Sequence, residues 1–243
     1  MIYLFDGSFE GLLTCVFEAY KDKDASIRAK EAYDPSFLDE TRFVGTDMEK
    51  FQRVYDSIPS KISPHAQQII YRTWLSENED APDLILHFLR AGYRLGKKVE
   101  NYIQDPHIHR IIDLNRRVGF EVHRFMGLLR FQEIVKGVFY AGYEPDHNIT
   151  VLLAPHFAQR LAGQPFLIHD KKRNLCAVFD GNEMVMTDRP PDIPTENTGS
   201  EDAYSVLWKA FFKTVAIQER KNPRVQMQFM PKKYWKNLIE LQD

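Results

Sequence analysis

The chain has 243 residues, 44% hydrophobic and 27% charged, with a net charge of −2. That composition suits a globular chain with a sizeable core, and it excludes both global disorder and a uniformly basic nucleic-acid coat. No apolar run approaches the ~20 residues that span a bilayer, and MIYLFDGSFEGL lacks the basic start of a secretory leader, so a cytoplasmic protein without a membrane partner is expected.

IYLF reads as a short strand. Ser8, in the turn DGSF, caps a helix whose apolar face is Leu12, Leu13, Val16, Phe17 and Tyr20. RFVGT (42–46) is a second short strand, after which Asp47 caps a helix through Tyr55. Residues 64–76 hold Ile69, Ile70, Trp74 and Leu75 at helical spacing, and Pro82 opens a further helix that stops at Gly96. Another helix runs from about His107 through IHRIIDLNRRVGFEVHRFMG, with Gly119 as a weak point.

Beyond Gly127 the period changes. LLRFQEI and GVFYAGYEP read as paired strands joined at Lys136–Gly137. Asp146 reads as the N-cap of a helix over DHNITVLLAPHFAQRL, where Pro155 implies a kink or a later start. PFLIHD and LCAVFDG form a second hairpin across KKRN, and EMVMTD adds a strand. RPPDIPTENTGS is loop, and a helix from about Ser200 to Gln218 precedes the C-terminal stretch. Cys15 and Cys176 sit in apolar surroundings and read as buried free thiols. The fold class is α+β: a helix-rich region over 1–127 with a short N-terminal strand, then an antiparallel hairpin–helix–hairpin–helix region over 128–243.

The charge is unevenly placed. Residues 1–106 hold 13 Lys+Arg against 18 Asp+Glu, whereas residues 107–243 hold 19 against 16. The excess is densest in ERKNPRVQMQFMPKKYWKNL, where Arg220, Lys221, Arg224, Lys232, Lys233 and Lys236 face only Glu219, with Phe229, Tyr234 and Trp235 between them. Cations near phosphates gain affinity by counterion release, and interleaved rings offer stacking faces for unpaired bases. The plain reading is a solvated face with Trp235 anchoring the chain end. Arg124 and Arg130, in a second basic stretch with Arg116, Arg117 and His123, could extend the surface.

A third cluster, in YEPDHNITVLLAPHF and FLIHDKKRN, places Glu144, Asp146, His147, His156, His169 and Asp170 at strand ends and a helix start. Carboxylates and histidines converging on a cleft could do acid–base work, whereas a capping role for Asp146 and a turn role for Asp170 would account for both without chemistry. No metal or cofactor is expected. His107, His109 and His123 do not have a zinc spacing, two cysteines cannot hold an iron–sulfur cluster, and GxxxxGK[ST], GxGxxG, GxSxG and HExxH are absent.

Five stretches, IYLFDGSFEGLLTCVFEAY, EVHRFMGLLRFQEI, YEPDHNITVLLAPHFAQRL, FLIHD and WKAFFKTVAIQERKNPRVQMQFMPKKYW, together resemble an uncharacterised bacterial family of DNA metabolism proteins over nearly the whole chain. Members of that family are encoded beside a radical SAM protein of DNA modification or repair, and a similar domain is in some cases fused to a uracil-DNA glycosylase-like domain. The resemblance implies a role in DNA repair or modification beside those two partners, and the rings interleaved with the cations of the C-terminal stretch suit single-stranded or damaged DNA over intact duplex. It carries over no catalytic residues. The expected function is that of an accessory protein binding DNA through Arg220, Lys221, Arg224, Lys232, Lys233, Tyr234 and Trp235, with Arg124 and Arg130. The alternatives are an enzyme acting on a nucleobase or phosphodiester through Glu144, Asp146, His147, His156 and Asp170, and a protein-interaction module that does not touch DNA.

Overall fold

Strand β1 (Ile2–Phe5) turns Tyr3 and Phe5 inward and is the middle strand of a parallel three-stranded sheet. The computed structural model describes residues 1–37, 39–188 and 223–241. The chain divides into two compact units, Met1–Gly119 and Phe120–Asp243.

In the first unit, β1 leads into α1 (Phe9–Ala19), where the Ser8 hydroxyl accepts the Gly11 N–H at 2.9 Å and Leu12, Leu13, Cys15 and Val16 are buried. Removing that cap in Ser8→Ala should lower stability by about 1 kcal/mol, read as a shift of the urea midpoint at constant slope. Strand β2 (Ser26–Ala29) lies parallel to β1 on one side, and β3 (Thr41–Phe43) lies parallel on the other. The stretch SIRA has no alternating pattern to announce a strand. It is held by Asp83, which accepts the Ile27 N–H at 2.6 Å and the Ser26 hydroxyl at 2.9 Å and pairs with Arg28.

Four helices follow. α2 (Met48–Lys61) is capped by Asp47 as the sequence implied, but it continues past Tyr55. α3 (Pro64–Leu75) starts on a Ser63 cap, and α4 (Ala81–Leu95) ends on Gly96, whose φ of 59° is the left-handed geometry that glycine tolerates. α5 (Pro106–Leu128) runs unbroken through Gly119, with Ile108, Ile111, Leu114, Val118, Val122 and Phe125 buried at helical spacing, so the divide between the two units falls inside it. The core of the first unit gathers Phe9, Leu12, Leu13, Ile58, Ile69, Phe88 and Leu89, with Tyr71 edge-on to Phe9 at 5.1 Å.

The second unit is built on five strands: β4 (Gln132–Val135), β5 (Val138–Tyr143), β6 (Phe166–Asp170), β7 (Leu175–Phe179) and β8 (Met184–Thr187), paired in that order. Both expected hairpins are present and antiparallel, and β8 pairs antiparallel with β7. The two hairpins join through a parallel β5–β6 pair, so the sheet is mixed rather than wholly antiparallel. A parallel pair needs a crossover connection, which α6 (Thr150–Arg160) supplies. α6 begins later than an Asp146 cap would place it, with Ile149 in the cap position and Pro155 inside the helix.

The C-terminal segment consists of α7 (Pro223–Phe229), a 3-10 turn over Lys232–Asn237 and another over Ile239–Leu241. The helix expected near 200–218, together with Arg220 and Lys221, lies outside the described residues. The architecture is α+β. Among the described residues no helix is long and apolar enough to cross a membrane. Cys15 and Cys176 are free and buried, and burial pushes their thiols up to about 12 and about 11, so both stay protonated and unreactive near neutral pH.

Candidate nucleic-acid interface

Glu121 organises the second unit. Its position on α5 is buried, and both carboxylate oxygens face donors distant in sequence. Oε1 accepts the Asp146 N–H at 2.8 Å and the Tyr234 hydroxyl at 2.7 Å, while Oε2 accepts the His147 N–H at 2.9 Å. One buried anion thus ties a helix, the loop EPDHN (144–148) and the C-terminal segment together through charge-assisted bonds. Burial, and then the Glu121 carboxylate, push the Tyr234 phenol up. Phe125 meets the rings of Tyr143 at 4.9 Å and Tyr234 at 4.7 Å, so the apolar side of the anchor is also filled.

Two basic segments surround that loop. From the β6–β7 turn, the Lys172 ammonium donates to the Asp146 carbonyl at 3.1 Å, and the Arg173 guanidinium donates to the carbonyls of Asp146 at 2.7 Å and Pro145 at 3.3 Å. From the C-terminal segment, Lys233 pairs with the Asp146 carboxylate and Lys236 with that of Glu144. Lys233 and Lys236 of the expected basic stretch therefore meet Asp146 and Glu144 of the expected acid cluster, with the acids holding the cations. Both pairs are solvated, Asp146 being 55% and Glu144 36% exposed. Exposed pairs of this kind contribute about 0–1 kcal/mol. Lys233→Ala should accordingly shift stability by less than about 1 kcal/mol in urea unfolding.

The remaining candidates separate. Tyr234 is 2% exposed and bonded to Glu121, which makes it an anchor rather than a stacking face. Trp235 is half-buried, its indole N–H donating to the Met230 carbonyl at 2.8 Å, with the Lys232 ammonium 6.0 Å above its ring. The ring left open to solvent is Phe229, 66% exposed, on the same segment as the exposed Arg224 and Lys232. Arg124 reaches the Gln228 carbonyl at 3.5 Å. Arg130 turns inward: its Nη2 donates to Glu240 at 2.5 Å and its Nε at 3.2 Å, and Glu240 is only 1% exposed.

Asp170 is fully buried. It accepts the N–H groups of Lys172 at 3.0 Å and Arg173 at 3.3 Å and the Arg173 guanidinium at 2.8 Å. That is the work of a turn former. His156 lies on α6 with Nε2 buried and without a hydrogen-bond partner, edge-on to Phe157 at 5.0 Å. The acid–His candidates thus comprise two exposed paired carboxylates, one buried paired carboxylate, a histidine held through its backbone and a histidine on α6. Asp146 is not a helix cap, because its N–H and carboxylate are both taken by partners far away in sequence.

His107 and His123 are 16 residues apart on one helix, which separates them by about 24 Å. Among the described residues, metal-ligating atoms gather at His87, Asp105 and His107 in the first unit. Asp105 receives the His87 ring at 2.9 Å and the α5 N-terminal amides of His107 at 2.8 Å and Ile108 at 3.2 Å. Burial would raise its carboxyl, but the His87 and backbone hydrogen bonds outweigh burial and hold it below the usual range. A helix-capping carboxylate accounts for the cluster.

Two features of the site escaped sequence reasoning. Lys171, Lys172 and Arg173 read as a turn, although three consecutive cations were a visible signal. Glu121 was the single acid inside an arginine-rich stretch, and no local pattern marks it as a hub.

The fold and site define an α+β protein whose C-terminal unit displays a cation-rich surface over a buried carboxylate hub. A family model described as a domain of unknown function, DUF4130, matches residues 79–240, and the chain belongs to that family. No curated protein and no solved structure matches the chain.

Proposed function

We propose that the protein is an accessory factor of DNA repair or modification that grips DNA through the surface around the EPDHN loop and works beside a radical SAM enzyme. The observation that carries this reading is the convergence of two basic segments, Lys171–Arg173 and Lys232–Lys236, on one loop. The acids at their meeting point, Glu144 and Asp146, hold Lys236 and Lys233 in solvated, weak pairs. A phosphate can displace such a carboxylate at small cost, and the buried Tyr234–Glu121 anchor keeps the lysines in place while it does so. The exposed Phe229 offers a stacking face, which suits unpaired bases and hence single-stranded or damaged DNA. The radical SAM partner and the uracil-DNA glycosylase-like association rest on the family resemblance.

The test is fluorescence anisotropy with labelled single- and double-stranded DNA at two salt concentrations. Wild type is compared with Lys232→Glu/Lys233→Glu, with circular dichroism as the folding control. Binding should be stronger at low salt, stronger for the single strand, and lost in the folded variant. No binding by the wild type, with co-purification of the radical SAM protein abolished in the variant, would make the surface a protein-interaction face instead.

A further inference from the structure

Beside the same surface, in the second unit, lies a cavity of about 130 Å³. That is several times the ~30 Å³ share of one liquid water. Arg130, Lys171, Lys236, Tyr140 and Asn237 line it around Gly142 of β5. The lining holds three cations, a hydroxyl, the two amides of Gln132 and Asn237, and no carboxylate. Two of the cations are compensated from outside, Arg130 by Glu240 and Lys236 by Glu144. Lys171 has no carboxylate partner among the described residues. The Asn237 side-chain nitrogen is buried and has no hydrogen-bond partner.

Gly142 supplies the room. A Cβ there would stand 2.5 Å from the Lys171 Cε, 2.8 Å from the Tyr140 hydroxyl and 3.1 Å from the Lys171 ammonium. The bare glycine is what allows the ammonium and the hydroxyl to converge on one spot, and a glycine within a strand commonly marks such a close approach.

We infer that this cavity binds a phosphate group, and, resting on the function proposed above, that the group is a backbone phosphate of the DNA strand lying over the basic segments. Lys171 supplies the uncompensated charge, and Asn237 lines the same cavity. Lys236 stands at both the cavity and the surface, so one strand can engage them together.

Two measurements separate this inference from the proposal it rests on. In the first, inorganic phosphate is titrated into the full chain while the Asn237 side-chain amide is followed by NMR. In the second, affinity for a labelled single-stranded oligonucleotide is measured across a salt series. The variants are Lys171→Met, which removes the charge, and Gly142→Ala, which fills the space without altering charge; both are checked for folding. The expected result is a saturable Asn237 shift in the wild type that is absent from both variants, with the DNA salt slope smaller by about 0.7 in Lys171→Met. A phosphate shift without DNA binding would sink the DNA reading and make the cavity a site for free phosphate. DNA binding that matches wild type in both variants, with no phosphate shift, would overturn the cavity while leaving the DNA reading intact.

Discussion

Glu121→Ala should lower stability by about 3–5 kcal/mol. The change strands the Asp146 and His147 amides and the Tyr234 hydroxyl, three donors that the buried carboxylate receives. Each stranded buried donor costs about 1–3 kcal/mol, and partial entry of water holds the total below their sum. The measurement is the urea midpoint together with hydrogen exchange at the amides of Asp146 and His147, which should lose protection first. Glu121→Gln keeps the shape and one accepting oxygen, so it should cost less. On the DNA-binding function proposed above, affinity should fall with stability here, because the same bonds position Lys233 and Lys236. That coupling distinguishes Glu121 from a surface cation, whose loss weakens binding in a stable protein.

The second large effect concerns Arg130, which the sequence offered as a nucleic-acid contact. Arg130→Ala leaves the Glu240 carboxylate, 1% exposed, without its cation. Breaking a buried pair from one side costs about 3–5 kcal/mol, whereas replacing both partners by apolar groups is commonly near neutral. Arg130→Met/Glu240→Leu should therefore recover most of the stability lost in Arg130→Ala, as read by thermal unfolding. Failure of the double variant to recover would show that the arginine acts mainly through its other bonds, such as the one to the Gly127 carbonyl at 2.7 Å.

These two residues show where sequence reading reached and where it stopped. Helix starts were legible because capping is local: Ser8 and Asp47 lie within three residues of the N–H groups they accept. The hairpin turns at Gly137 and Asn174 were legible for the same reason, their φ values of 80° and 53° being a glycine and an asparagine geometry. β2 was not, because four residues held by a side chain of α4 carry no periodic signal. The parallel β5–β6 pair was not, because alternation marks a strand without naming its neighbour. Glu121 was the deepest omission. Its donors lie 25, 26 and 113 residues away, a convergence that only the folded chain creates. Those contacts also explain why Asp146, with the residue type of a cap, is not one.

The claim that two distant basic segments form one DNA-gripping surface is tested most directly by the salt dependence of single-stranded DNA affinity. Wild type is compared with Lys172→Glu/Lys232→Glu, which takes one cation from each segment. If the segments act together, the slope of log affinity against log salt shrinks by about 1.4. A slope unchanged in a folded variant would contradict the shared surface.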